Sequence, residues 1–141
     1  LRGFVAKYMT GAGLDVGMAG ADEVCRTKKG DCTEFAVLLA AMLRAADIPS
    51  RVVCGVVYCD EFAGKKDVFG PHMWTQALVD HMGVKVWVDV DAAIGPGERA
   101  FDGGHIAFST SALSDDVPAT ASFSELLPFL GKVTVEVEGE E

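Results

Sequence analysis

An α+β fold, with one helix packed on an antiparallel sheet, is what this sequence predicts, and three observations predict it. An apolar series at helical spacing starts behind a capping signal at Asp31. A β-branched run, RVVCGVVY, follows Pro49, and two further β segments are separated by little more than Met82-Gly83. The 141 residues suit a single domain over 1–141, large enough to remove roughly two-thirds of its unfolded surface from water.

Taken in order, Leu1, Phe4, Val5 and Tyr8 recur at helical spacing, so residues 1–9 read as a short helix. In the stretch TGAGLDVGMAG, Gly11, Gly13 and Gly17 resemble a dinucleotide fingerprint. That motif needs a strand before its first glycine, and a helical pattern stands there instead, so the stretch reads as a flexible connection. Residues 21–29 read as one or two helical turns ended by Gly30. Asp31 can then cap the main helix, with Glu34 three residues on completing a capping box, and Phe35, Leu38, Leu39, Met42 and Ala46 form its buried stripe. Pro49 denies Ile48 the helical region and ends it.

RVVCGVVY is nearly all apolar and suits a central strand covered on both faces. Residues 60–70, of mixed charge, read as a loop. HMWTQALVDH and VKVWVDVDA then form a hairpin. Beyond Asp91, GPGERAFDGGH is a turn-rich loop, IAF a short strand and STSALSDDVPATAS a polar connection. FSELLPFL and KVTVEVEGE read as a closing helix and an alternating strand.

Hydrophobic residues make up 50% and charged ones 23%, and no run of about 18 apolar residues is present, so no membrane insertion is expected. Lys plus Arg number 12 against 21 for Asp plus Glu, a net charge of −9 that repels phosphate backbones and makes nucleic acid a poor partner. The chain starts at Leu1 rather than Met, which reads as part of a longer protein and leaves the compartment unassigned. Cys25, Cys32, Cys54 and Cys59 are expected as free thiols, because a core of this size needs no disulfide. Their spacing lacks the paired ligands of a zinc site, and no metal or cofactor is expected.

Cys32 falls one residue after the proposed cap. A free thiol, with pKa about 8.5, is mostly protonated at pH 7. The unpaired N–H groups and dipole of a helix start favour its anion, and the Cys32 N–H is placed to bind an oxyanion beside the sulfur. A buried packing role is the competing reading. A base decides between them. His81 lies at the hairpin tip and His105 in a glycine-rich loop, both expected to be solvated, while His72 begins a strand. With His81-Met82 as the turn, His72 sits opposite Asp91; with Met82-Gly83 it sits diagonal to it, and Asp80 faces Lys85. Both registers put His72 and Asp91 on one side, whereas Asp89 pairs further along. The chain holds no Asn and one Gln, Gln76, so a Cys-His-Asn triad is excluded.

On these residues the sequence resembles the transglutaminase-like superfamily of papain-related cysteine acyltransferases and hydrolases. GDCTEFAVLLAAMLRAADIPSRVV is similar to the family's nucleophile helix and following strand, PHMWTQALV to its H-x-W strand, and VWVDVDAA to the block ending in its triad Asp. The match covers 21–93. The resemblance implies Cys32 as nucleophile, His72 as general base and Asp91 as its orienter, with no cofactor and a protein or peptide substrate. Asp91 is followed by Ala92-Ala93 where Pro and Thr are common, and the family's side-chain oxyanion donor has no match upstream of Cys32. The expected reaction is acyl transfer through a thioester, ending in hydrolysis. Cross-linking by an amine and a non-catalytic interaction module are the alternatives. A redox role would need a vicinal C-x-x-C pair, and none exists.

Overall fold

The computed structural model describes residues 1–10, 18–94 and 101–114, with single positions at 128, 132 and 135. The readings for 11–17, for 95–100 and for the helix and strand beyond 114 lie outside the described residues. Three helices, α1 (Arg2–Tyr8), α2 (Ala21–Thr27) and α3 (Cys32–Ala45), precede four strands, β1 (Ser50–Phe62), β2 (Lys65–His81), β3 (Val84–Val90) and β4 (His105–Ser111). The sheet is antiparallel, in the order β3-β2-β1-β4.

The capping box forms as its spacing requires. The Thr33 N–H donates to Asp31 Oδ1 at 2.9 Å, and the Asp31 N–H donates to Glu34 Oε2 at 3.0 Å. The other end stops before Asp47, ahead of Pro49, and has its own closing device. Asp47 takes the left-handed conformation (φ 57°), its N–H donates to the Arg44 carbonyl at 3.0 Å, and that of Ile48 donates to Leu43 at 2.9 Å. That double bond pattern closes the helix before Pro49 becomes relevant, with a residue type that tolerates the left-handed region.

Helix α3 buries more than one stripe because it is covered on two sides. Ala36 and Ala40 pack with Val52, Cys54 and Met73 of the sheet. Leu38, Leu39 and Leu43 pack with Val5 and Met9 of the first helical segment and Val24 of α2. Both short helices therefore lie against the Cys32 helix. Ala46, placed on the predicted stripe, is exposed.

The predicted loop at 60–70 is instead a hairpin. β1 and β2 stay paired out to Phe62 opposite Lys65, and Ala63 (φ 51°) and Gly64 (φ 74°) make the turn. The outer part of this ribbon is exposed on both faces, so its polar composition hides a strand from pattern reading. β2 is consequently 17 residues long. His72 stands inside an inner strand rather than at the start of one.

Candidate functional site

The β2–β3 turn uses Met82 and Gly83, both at positive φ, and Asp80 faces Lys85. This selects one of the two registers left open. Thr75 pairs with Val90, so continuing the ladder sets Asp91 against Trp74 and diagonal to His72. β3 ends at Val90, and Asp91 starts a turn in which its Oδ1 accepts the N–H of Ala93 at 2.7 Å and of Ile94 at 3.3 Å. Its Oδ2 lies 2.5 Å from His72 Nε2, and both side chains are buried.

Cys32 opens α3 half-buried, packed against the cluster containing Ala36, Cys54 and Met73. Cys32 is one of the two groups that push the His72 pKa up. Burial alone would lower the His72 pKa, but hydrogen bonding and charge from Asp91 and Cys32 outweigh it and raise the value to about 9. Burial opposes ionisation of Asp91 too. His72, the Ala93 N–H and His105 together still hold its carboxyl below the usual range. At neutral pH the pair is therefore an imidazolium on a carboxylate.

Asp89 is occupied elsewhere, as its register suggested. Its Oδ1 accepts from the Trp74 indole N–H at 2.7 Å and from Gln76 at 2.8 Å. The fixed indole is buried and lies roughly parallel to the His72 ring, centroids 6.1 Å apart. Trp87 stays 38% exposed and carries the Arg51 guanidinium 4.1 Å above its ring. Only Trp74 of the two shields the imidazole.

Two residues join the site that the sequence did not indicate. Arg2 of α1 donates through Nε to the Asp91 carbonyl at 2.6 Å and through Nη2 to that of Ile94 at 2.8 Å, clasping the backbone that carries the carboxylate. His105, expected to be solvated in a loop, instead begins β4 with a fully buried side chain and Nε2 3.3 Å from Asp91 Oδ2. No local pattern around either residue signals these contacts, which span the whole fold. His81 is exposed, as expected.

His72, Asp91 and His105 offer donor atoms within 4.8 Å of one another, a set able to ligate a divalent metal. Zinc bonds of about 2.0–2.2 Å would hold neighbouring ligands further apart than the 2.5 Å between His72 and Asp91. That spacing matches a shared proton.

The family model for the transglutaminase-like superfamily matches residues 4–92. Among solved structures, the chain is similar to a protein from Cytophaga hutchinsonii described as a candidate cysteine protease, with a TM-score of 0.58 and 19% identity. The likeness covers 86% of this chain and 36% of that one, so the chain spans about a third of that neighbour's length. No curated protein sequence matches. Among the described residues, no helix is long and apolar enough to cross a membrane. The family match takes in the Cys32 helix, the His72 strand and Asp91, and this chain belongs to the transglutaminase-like superfamily.

Proposed function

We propose that this domain is a cysteine hydrolase acting on amide bonds of a protein or peptide, with Cys32 as nucleophile, His72 as general base and acid, and Asp91 as the carboxylate that orients it. The observation that carries this reading is one imidazole, held at 2.5 Å by a buried carboxylate, whose charged form the thiol that opens α3 also favours. With the Cys32 proton held on His72 as an imidazolium, the thiolate sulfur bonds to the carbonyl carbon. The Cys32 N–H, one of those a helix start leaves without an intrahelical acceptor, is available to the resulting oxyanion. The carbon–nitrogen bond breaks as His72 gives its proton to the leaving amine. Water, deprotonated by His72, then releases the acid and the thiol. The cysteine-protease description of the structural neighbour agrees with a hydrolytic outcome, while an amine in place of water would make a cross-link.

The test is the alkylation rate of each Cys, followed by mass spectrometry from pH 5 to 9, in the native protein and in His72→Ala. Cys32 alone should react fast near pH 6 and lose on the order of 10²-fold in the variant, the scale of a general base. An ordinary thiol profile for Cys32 would remove the catalytic reading and favour a binding module.

A further inference from the structure

Both imidazoles at the site converge on one atom. Asp91 Oδ2 faces His72 Nε2 at 2.5 Å and His105 Nε2 at 3.3 Å, while Oδ1 is taken by two backbone N–H groups. We infer that His105 is a positioning residue for the Cys32–His72–Asp91 site, donating its Nε2 proton to Asp91 so that the carboxylate stays ionised and fixed as His72 gains and loses its own proton. This rests on the catalytic reading of Cys32 and His72 above.

His105 is rigid enough for the task. Its ring stacks on Phe101 with centroids 4.2 Å apart and meets the Trp74 indole edge-on at 5.3 Å. Its Nδ1 lies 3.3 Å from the Asp102 carbonyl and 3.4 Å from the Asp102 carboxylate, in a turn that the Gly104 N–H ties to the same side chain at 2.9 Å. A buried aromatic held this firmly could serve as packing alone, but packing does not require a nitrogen aimed at the orienting carboxylate.

A bulge brings the ring there. Cys54 pairs with Ser109 but Gly55 pairs with Ala107, so Phe108 is an extra residue on β4. Beyond it, Ala107 and His105 stand opposite Gly55 and Val57, and Gly55 stands opposite His72. An unbulged ladder would turn His105 to the other face, because the side-chain period is two. The bulge therefore sets His105 beside His72, ring centroids 5.8 Å apart.

Two variants and one spectrum test this. His105→Phe keeps the ring stack and removes both ring nitrogens, and His105→Gln restores a donor. Cys32 alkylation is followed from pH 4 to 9. The expected result for His105→Phe is an acid limb moved up by about one pH unit, with about tenfold slower reaction at pH 5 and little change at pH 8; a unit corresponds to one modest charge-assisted hydrogen bond. His105→Gln should recover more than half of the shift, which restored packing alone would not do. Profiles of His105→Phe and the native protein that coincide would overturn the role of His105 while leaving the triad reading intact. An ordinary thiol profile in the native protein would overturn both. Should either variant fail to fold, ¹⁵N–¹H spectra of the native protein decide: a proton on His105 Nε2 supports the inference, and a ring protonated only at Nδ1 overturns it.

Discussion

His72 and Asp91 sit diagonally rather than directly across the β2–β3 pair, yet their side chains meet at 2.5 Å. The His72 side chain is 10% exposed and that of Asp91 1%, so each charge depends on the other for compensation. The His72 pKa rises from 6.5 to about 9, so its contribution to stability is complete below pH 6.5 and fades as pH climbs toward 9. Asp91, lowered from 3.8, contributes above that value and loses its part only in stronger acid. Asp91→Asn should cost on the order of 3–5 kcal/mol near pH 6, where both charges exist. That cost should shrink toward pH 9. Urea unfolding at pH 6, 7.5 and 9 checks this, and a pH-independent difference would contradict it.

Arg2 should matter for reactivity through the backbone it holds. Its two bonds hold the Asp91 and Ile94 carbonyls from α1. Arg2→Ala should lose about 1.5–3 kcal/mol of stability, the scale of hydrogen bonds made by a charged group. It should also slow Cys32 alkylation at pH 6. Arg2→Lys should rescue poorly, since an ammonium cannot reproduce the guanidinium fork. Equal stability for the three proteins would show that the clasp is incidental.

Glu34 is fully buried, one turn into the Cys32 helix. Burial raises its pKa against the bonds that hold its charge, with Oε1 accepting from the Ala19 N–H at 3.1 Å and Oε2 from Asp31 at 3.0 Å. Glu34→Ala leaves both donors without their acceptor and should cost about 1–3 kcal/mol for each. Glu34→Gln keeps one acceptor oxygen and should cost less than half as much. Thermal or urea unfolding of the two variants measures the ratio, and equal losses would argue for a volume effect instead.

Gly55 is needed for close approach. A Cβ there would lie 2.1 Å from the Ile106 carbonyl oxygen and 2.8 Å from Trp74 Cη2. The first is backbone and cannot swing aside. Gly55→Ala should therefore destabilise by about 3 kcal/mol, the upper end for overpacking, and disturb the β1–β4 bulge that places His105. Urea unfolding monitored by tryptophan fluorescence reads both effects; a change under about 0.5 kcal/mol, the scale of a neutral surface substitution, would count against it.

Local patterns in the sequence determined the capping box at Asp31 and the presence of a β2–β3 hairpin, because each depends on residues within a few positions of one another, whereas the choice between the two possible turns waited for the structure. Helical periodicity found only part of what α3 buries, since a helix covered by both a sheet and two other helices has no single apolar stripe. The outer β1–β2 ribbon escaped notice for the opposite reason: solvated on both faces, it carries no alternation to detect. Tertiary structure alone decided that His105 and Arg2 reach Asp91, across 14 and 89 residues of chain. One extra residue at Phe108 reverses which face His105 occupies, and nothing in GGHIAFST marks it, because a bulge is set by how two distant strands pair.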